Sequence, residues 1–156
     1  MNNSAPLISS TLTTRLRPRV LLADDYEPLL AAWRHLLEPA CEVVGSVRDG
    51  RALLAAAIGL GPDVIVADLA MPEMNGLDAC REIRNAAPNS RIVIVTASGD
   101  ESVARAAFRA GASAFVLKHS AAKDLLTAVR TTFRGSTYCT PALGVDVSES
   151  HPDPAM

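Results

Sequence analysis

Short apolar runs alternate with helix-length segments along most of this chain. Runs of this length, bounded by turn residues, predict buried strands, and the segments between them predict helices. The predicted strands cover residues 19–23, 41–47, 63–67, 91–95 and 114–117. The predicted helices cover residues 27–37, 51–58, 76–86, 101–110 and 121–133. This alternation indicates an α/β fold, a doubly wound parallel sheet of five strands with helices on both faces.

The composition predicts one folded unit. A chain of 156 residues, 49% of them hydrophobic, is long enough to bury one core and too short for two of ordinary size. Residues 1–18 are rich in Ser, Thr and Asn and predict a flexible leader, followed by a folded domain over residues 19–134. Residues 135–156 contain Gly, Pro, Ser and acidic residues without periodicity, which is typical of a linker or a disordered tail.

Charge, cysteine content and hydropathy argue against several classes of protein. Lys and Arg number 15 against 17 for Asp and Glu, and neither sign forms a long block, so we expect no direct DNA binding. Three cysteines without metal-ligand spacing favour reduced thiols in a cytoplasmic protein. No run approaches the roughly 18 apolar residues of a membrane helix, so no membrane association is expected.

Reactive side chains follow four of the five predicted strands. Asp24 and Asp25 follow the first strand, Asp68 the third, Thr96 the fourth and Lys118 the fifth. Because the carboxyl ends of parallel strands open onto one crevice, we expect three carboxylates, a hydroxyl and an ammonium to meet there. Such a cluster suits Mg²⁺ and a phosphoryl group.

Each of these residues also has a plain structural interpretation. Asp24 and Asp25 fit the N-terminal cap of the next helix, and Asp68 fits a turn. A lysine or threonine at the end of a strand is common without any function, so Lys118 and Thr96 are informative only through their order in the chain.

The strand ends carry their polar groups in a characteristic order. Asp-Asp follows the first strand, Asp68 is followed by Pro72 and Gly76, Thr-Ala follows the fourth strand and Lys the fifth. In this order, residues 19–134 resemble the receiver domains of bacterial two-component response regulators, which have a CheY-like fold. The resemblance implies a flavodoxin-like sheet with strand order 2-1-3-4-5. Gly76 itself needs no role beyond a turn into the third helix, since glycine tolerates positive φ.

The resemblance implies a phosphorelay function. Receivers accept a phosphoryl group from a sensor histidine kinase or a phosphotransfer protein, and the matching acceptor here is Asp68. It also implies Mg²⁺ (or Mn²⁺) as the cofactor, held by Asp25, Asp68 and the backbone carbonyl of Ala70, with Asp24 acting through a water. The chemistry is limited to self-phosphorylation and slow autodephosphorylation, so a true enzyme is not expected.

The resemblance also implies a switch. Lys118 would contact the phosphate and Thr96 would donate a hydroxyl hydrogen bond to it. In the family the threonine moves toward the phosphate and an aromatic residue turns inward; Phe115 matches the aromatic residue, and Ala97 is small enough to leave room. The output would be a changed surface over residues 101–134 that binds a downstream protein or a second copy. Alanines expected to suit close helix contact there are Ala104, Ala107, Ala110, Ala121 and Ala122.

Several features depart from the common receiver pattern or bear on its output. Many receivers have a cis Lys-Pro bond, whereas this chain has His119, and the sequence leaves the Lys118–His119 bond open between cis and trans. Ala70 and Ser98 occupy positions that tune hydrolysis of the acyl phosphate, so its lifetime is not predicted. The subfamily resembled most usually carries a helix-turn-helix domain; we expect a stand-alone receiver, with a natural truncation or a part of a larger gene product as the alternatives.

Three other functions compete with a phosphorylation switch. A constitutive interaction module would use the scaffold without phosphorylation, and phosphate-dependent partner binding separates the two. A phosphatase of the haloacid-dehalogenase type would need a second acid two residues after the nucleophile, where this chain has Ala70. A flavodoxin-like cofactor site would need a phosphate-cradling loop after the first strand, where Asp24 and Asp25 would repel a phosphate.

Overall fold

The structure is a computed structural model that describes residues 17–97 and 99–143. Residues 1–16, Ser98 and residues 144–156 lie outside the described part, and with them most of the predicted leader and the end of the predicted tail. The strands are β1 (Arg19–Ala23), β2 (Glu42–Val47), β3 (Val64–Asp68), β4 (Arg91–Thr96), β5 (Ala114–Leu117) and β6 (Tyr138–Cys139). The helices are α1 (Glu27–Leu37), α2 (Gly50–Leu60), α3 (Gly76–Ala86), α4 (Glu101–Arg109) and α5 (Ala121–Phe133). Within these residues, no helix has the length and apolar character that crossing a bilayer requires.

All strands run parallel in one sheet with the order β2-β1-β3-β4-β5-β6. The predicted doubly wound α/β fold and the order 2-1-3-4-5 are confirmed, and the predicted number of strands is one too few. The chain passes from β1 to β2 on one side and then returns to β3 on the other side of β1. The carboxyl ends of β1 and β3 therefore flank the topological switch point, where a parallel α/β sheet opens into a crevice.

The two faces of the sheet have separate cores, because successive side chains of a strand point to opposite faces. On β1, Val20 and Leu22 belong to the core under α1 and α5, whereas Leu21 and Ala23 belong to the core under α2, α3 and α4. Strands β1, β3, β4 and β5 are almost entirely buried, as expected for a sheet covered on both faces. This covered sheet fixes the positions of the strand ends.

Polar caps and a glycine set several helix ends. Asp49, Asn75 and Asp100 precede α2, α3 and α4, and each side chain accepts a hydrogen bond from the backbone N–H three residues further on. Helix α2 ends at Leu60 and is capped by Gly61, whose φ of 54° is left-handed. The cap at Asn75 also fixes where α3 begins, close to the end of β3.

Part of the segment predicted as a linker or disordered tail joins the sheet. The two residues of β6 pair with β5, and the N–H of Tyr138 donates to the carbonyl of Ser113 at 3.1 Å. Thr140, which follows β6, is only 3% exposed. This strand departs from the expectation for residues 135–156 because its hydrogen bonds depend on the distant edge of β5, which the local sequence does not reveal.

The three cysteines are free thiols. Cys41 and Cys80 are buried, and burial raises the pKa of Cys80 to about 12. Burial also raises the pKa of Cys139, to about 11. Protonated and shielded thiols of this kind react slowly and are poor metal ligands.

Candidate functional site

Two acidic side chains follow the carboxyl end of β1. Asp24 is fully buried, and its Oδ1 accepts a hydrogen bond from the backbone N–H of Tyr26 at 2.8 Å. Asp25 is exposed, and its carbonyl accepts a hydrogen bond from Arg48 Nη2 at 3.2 Å. Neither carboxylate caps α1, because its N-cap residue is Tyr26, with no side-chain cap. The interpretation of this pair as a helix cap is therefore wrong.

Asp68 is the last residue of β3, where it pairs with Val95 of β4. It is 5% exposed, and its carboxylate accepts a hydrogen bond from the backbone of Ala70. Burial raises the pKa of the Asp68 carboxyl and the charge of Asp24 raises it further, while Lys118 and the Ala70 hydrogen bond act in the opposite direction. The raised pKa means that Lys118 and the hydrogen bond do not fully offset the cost of burying the ionised carboxylate.

Lys118 begins the 3-10 turn Lys118–Ser120 directly after β5. Its Nζ lies 2.9 Å from Asp24 Oδ2 and 3.4 Å from Asp68 Oδ2. Burial alone would lower the pKa of the ammonium, but the two carboxylates outweigh burial and raise it. The ammonium is therefore charged at neutral pH and held between the carboxyl ends of β1 and β3.

The acidic cluster consists of Asp24, Asp25 and Asp68, which offer oxygens within 4.8 Å of one another. Oδ2 of Asp24 is buried and makes no hydrogen bond of regular geometry, although it forms an ion pair with Lys118. Three carboxylates against one ammonium leave a formal charge of −2 when all four groups are ionised. Oxygen ligands with excess negative charge fit a hard divalent cation such as Mg²⁺.

The loop between Asp68 and α3 folds back closely on itself. The N–H of Gly76 donates to the carbonyl of Leu69 at 2.7 Å, and Glu73 adopts a left-handed φ of 76°. Gly76 has no positive φ, but a Cβ there would lie 2.6 Å from Leu69 Cα. The reason predicted for Gly76 is therefore wrong: glycine is required because α3 begins against the backbone that follows Asp68.

The residues predicted to form the switch lie at the end of β4, in the loop that follows it and in β5. Thr96 ends β4 and is 6% exposed, Ala97 next to it is exposed, and Phe115 in β5 is fully buried. A Cβ added at Gly99 would lie 2.9 Å from Phe115 Cζ and 3.3 Å from Thr96 Cγ2. Phe115 therefore already points inward, packed against the loop that starts at Ala97.

Comparison with known proteins places this geometry in a family. Residues 20–130 match the response regulator receiver domain family. The chain belongs to this family. It is 35% identical over 119 residues to the uncharacterized transcriptional regulatory protein YxjL of Bacillus subtilis, across 75% of this chain and 55% of that protein. It is 36% identical over 101 residues to the chemotaxis protein CheY of Thermotoga maritima, across 64% of this chain and 84% of that protein.

Solved receivers share the fold. A two-component response regulator of the LuxR family from Aurantimonas sp. SI85-9A1 is 30% identical, with a TM-score of 0.79 over 85% of this chain and 96% of that chain. The receiver spans little more than half the length of the curated transcriptional regulators that it matches, 55% and 56% for the two compared. The similarity to those regulators therefore concerns their receiver part.

Family membership establishes the function in outline. Receivers are signalling modules of two-component response regulators that work with kinases or phosphotransfer proteins, and they are not classic enzymes. They bind Mg²⁺ at an acidic pocket, and this receiver has the acidic cluster described above. The predicted CheY-like fold and two-component role are confirmed at this level.

The receiver holds Lys118 without a cis peptide bond. Every peptide bond within residues 17–97 and 99–143 is trans, including Lys118–His119, which decides the alternative that the sequence left open. The chain continues from Lys118 into the 3-10 turn, where the N–H of Ala121 donates to the carbonyl of Lys118. The turn therefore starts from an ordinary trans backbone.

The surface predicted for output, residues 101–134, differs from the expectation in two ways. Four of its five alanines are buried in the receiver's own core, namely Ala104, Ala107, Ala110 and Ala121. Only Ala122 is exposed, so the proposed alanine contact surface is wrong. In addition, β6 lies along the edge of β5, so residues 138–143 belong to this side of the receiver as well.

Sequence reasoning missed two contributors to the site and gave the wrong reason for a third. The backbone N–H of Tyr26 holds the Asp24 carboxylate in an Asx turn, for which the spacing of the two residues was the available signal. Gly76 permits the close approach of α3. Thr140 contacts the backbone just before Lys118, and nothing in the local sequence of the tail indicates this.

Replacing Asp68 by asparagine is expected to stabilise the metal-free receiver at neutral pH. Because the pKa of Asp68 is raised on folding, the folded chain binds this proton more tightly than the unfolded chain does. The group's contribution to stability is full below its unfolded pKa and is lost as the pH rises through its folded pKa. In EDTA, Asp68→Asn should therefore have a higher Tm than the wild type at about pH 7, and the difference should shrink toward about pH 4. A lower Tm at neutral pH would mean that the ion pair with Lys118 outweighs the cost of burial.

Proposed function

We propose that this receiver is a phosphorylation switch in which Asp68 accepts a phosphoryl group from a sensor histidine kinase or a phosphotransfer protein. One observation carries the proposal: Lys118 Nζ lies 2.9 Å from Asp24 Oδ2 and 3.4 Å from Asp68 Oδ2 at the crevice between β1 and β3. Phosphoryl transfer to a carboxylate needs a nucleophile, oxygen ligands for a cation and a fixed positive charge. These three kinds of group meet at this crevice.

The proposed reaction is a nucleophilic substitution at phosphorus. An ionised oxygen of Asp68 attacks the phosphorus, the bond from phosphorus to the donor histidine nitrogen breaks, and the nitrogen leaves with the electron pair. The product is an acyl phosphate on Asp68. Attack of water on the phosphorus later releases inorganic phosphate and restores the carboxylate, which gives slow autodephosphorylation without enzymatic turnover.

The proposed Mg²⁺ ligands are Asp25, Asp68 and the backbone carbonyl of Ala70, with Asp24 bound through a water; Mn²⁺ suits the same oxygen ligands. When bound, the cation offsets negative charge on the transferring oxygens. Support comes from the mutual distances of the carboxylate oxygens, within 4.8 Å, and from the negative charge that remains on the three carboxylates after Lys118 is counted. The ends of β1 and β3 orient these carboxylate oxygens.

In the proposed switch, Lys118 pairs with the phosphoryl group and the Thr96 hydroxyl donates a hydrogen bond to it. A phosphoryl group adds about −1.5 to −2 charges near neutral pH, which is enough to bias the position of a loop. Phe115 packs against that loop at Gly99, so a movement of Thr96 and Ala97 would be transmitted to β5.

The proposed output is protein binding. The surface formed by α4, β5 and α5, now extended by β6, would contact a downstream protein or a second copy of the receiver. The receiver fold accounts for all the elements of residues 17–97 and 99–143, and we propose no direct DNA contact for them.

Intact mass spectrometry after incubation with Mg²⁺ and acetyl phosphate tests the proposal. We expect a gain of one phosphoryl group that hydroxylamine removes, because an acyl phosphate is a reactive mixed anhydride. The gain should be absent with EDTA and absent in Asp68→Asn. Asp63→Asn is the matched control: it removes an aspartate at the opposite end of β3, and phosphoryl uptake should remain.

Two results would contradict this proposal. A phosphoryl gain that persists in Asp68→Asn would place the acceptor elsewhere in the chain. No gain, under conditions that modify a known receiver, would leave Asp68 without a role as acceptor.

A constitutive interaction module is the second candidate, and one observation favours it. Phe115 is fully buried, which is the position expected if the binding surface is formed in advance. Amide NMR spectra before and after phosphorylation separate the two functions. Shifts spread over residues 101–134 support the switch, whereas shifts confined to the crevice support the constitutive module.

A further inference from the structure

Strand β6 reaches the backbone next to Lys118 through a side chain. The N–H of Tyr138 donates to the carbonyl of Ser113 at 3.1 Å, and the N–H of Thr140 donates to the carbonyl of Phe115 at 2.9 Å. Hydrogen bonds between parallel strands are evenly spaced, so the next donor along β5 is the N–H of Leu117. That N–H donates to Oγ1 of Thr140 at 3.1 Å, in a buried contact.

The hydroxyl of Thr140 takes the place of a main-chain acceptor. The carbonyl of Thr140 instead accepts a hydrogen bond from the N–H of Leu143 at 3.1 Å, because the chain turns there into the 3-10 segment Pro141–Leu143. Thr140 is 3% exposed and Leu117 is 7% exposed. Loss of the hydroxyl would therefore leave a buried N–H without its partner, which costs more than loss of an exposed bond.

The hydrogen bond from Leu117 fixes the main chain one residue before Lys118. The carbonyl of Lys118 is fixed on the other side by the N–H of Ala121, and the peptide bond to His119 is trans. We propose that Thr140 is a positioning residue for Lys118: its hydroxyl holds the backbone N–H of Leu117 and, with it, the main chain that carries Lys118. The consequence for phosphoryl transfer rests on the proposed function; the consequence for the position of Lys118 does not.

Three substitutions in the full chain isolate this role. Thr140→Val keeps the branched shape and removes the acceptor, and Thr140→Ser keeps the hydroxyl. Thr132→Val is the matched control, because it removes another buried hydroxyl, one that donates to the carbonyl of Val129 at 3.1 Å within α5. A loss of stability alone would be common to both valine variants.

The first readout needs no phosphodonor. NMR of the Lys118 side-chain ammonium reports its contacts with Asp24 and Asp68 directly. We expect Thr140→Val to shift this resonance, Thr140→Ser to restore it and Thr132→Val to leave it in place. An unshifted resonance in Thr140→Val, or an equal shift in Thr132→Val, would overturn the proposal.

The second readout is the rate of phosphoryl uptake from acetyl phosphate with Mg²⁺, at a temperature where every variant is folded. Thr140→Val should be slower by about tenfold, since small displacements of a catalytic group are costly, while Thr140→Ser and Thr132→Val should stay near the wild type. Equal rates in Thr140→Val and the wild type would overturn the inference. If the wild type takes up no phosphoryl group but the Lys118 resonance shifts only in Thr140→Val, the proposed function fails and the positioning role stands.

Discussion

Replacing Lys118 by alanine is expected to tighten Mg²⁺ binding and, in the same variant, to slow phosphoryl uptake. The ammonium lies 2.9 Å from Asp24 Oδ2 and 3.4 Å from Asp68 Oδ2, so it competes with a cation for these oxygens. Its removal should lower the Mg²⁺ dissociation constant by about three- to tenfold, which corresponds to roughly 1 kcal/mol. Loss of the fixed positive charge should slow uptake from acetyl phosphate by about 10²-fold. Titration calorimetry measures the first change, and intact mass against time measures the second.

The two expected effects are tighter Mg²⁺ binding and slower phosphoryl uptake. A general loss of structure would instead weaken Mg²⁺ binding and slow uptake together, so this combination excludes it. Lys123→Ala is the matched control, because it removes the same charge from an exposed position on α5 and should change neither quantity. Weaker Mg²⁺ binding in Lys118→Ala would mean that the ammonium organises the acidic cluster instead of competing within it. Unchanged uptake would remove Lys118 from the transfer.

There is a physical reason why the Lys118 ammonium lies within the proposed metal site. Buried carboxylates without partners are costly, and the acidic cluster has a formal charge of −3 before Lys118 is counted. Lys118 offsets part of this charge in the metal-free receiver, as the raised pKa of the ammonium shows. A divalent cation would complete the compensation and leave the ammonium available to a phosphoryl group.

Elements with strong periodicity and clear end signals were predictable from the sequence. Helices α1, α3 and α5 and strands β1 and β5 have the predicted bounds. The apolar runs of the sheet are buried on both faces, so their short length and the turn residues that bound them mark them as strands. The order of the strands came from the resemblance to receivers and is confirmed by the sheet.

The errors at element ends have local causes. Helix α2 was predicted to stop before Gly59, but it continues to Leu60 because Gly61, with a left-handed φ of 54°, makes the actual C-cap. Strand β3 extends one residue further than predicted, because Asp68 itself pairs with Val95. Sequence patterns do not distinguish between neighbouring glycines, or between a strand residue and the polar residue that ends it.

The composition of the site was more predictable than the contacts that hold it. Asp24, Asp25, Asp68 and Lys118 were expected to meet, because parallel strands end at one edge, and the structure brings them together. The contact from Thr140 to the backbone before Lys118 spans 23 residues and depends on a two-residue strand. A strand that short has no periodicity, so only the folded sheet reveals it.

Gly76→Ala is expected to be the most damaging conservative substitution near the site. Its Cβ would lie 2.6 Å from Leu69 Cα and 2.7 Å from the Leu69 carbonyl oxygen, and backbone atoms cannot rotate away as a flexible side chain can. We expect the free energy of unfolding to fall by about 1–3 kcal/mol or more, as in other overpacked sites. Chemical denaturation measures this change, and Mg²⁺ titration should show weaker binding because the loop after Asp68 must shift.

Gly59→Ala separates this clash from the general effect of adding a methyl group to a helix. Nothing lies within 4 Å of a Cβ at Gly59, which is exposed near the end of α2, so alanine there should raise the free energy of unfolding by up to about 1 kcal/mol through its helix propensity. Equal stability of the two variants would mean that α3 can move away from Leu69 at little cost. Mg²⁺ binding would then depend on the strand ends alone, and the close approach of α3 to the loop would not contribute to the site.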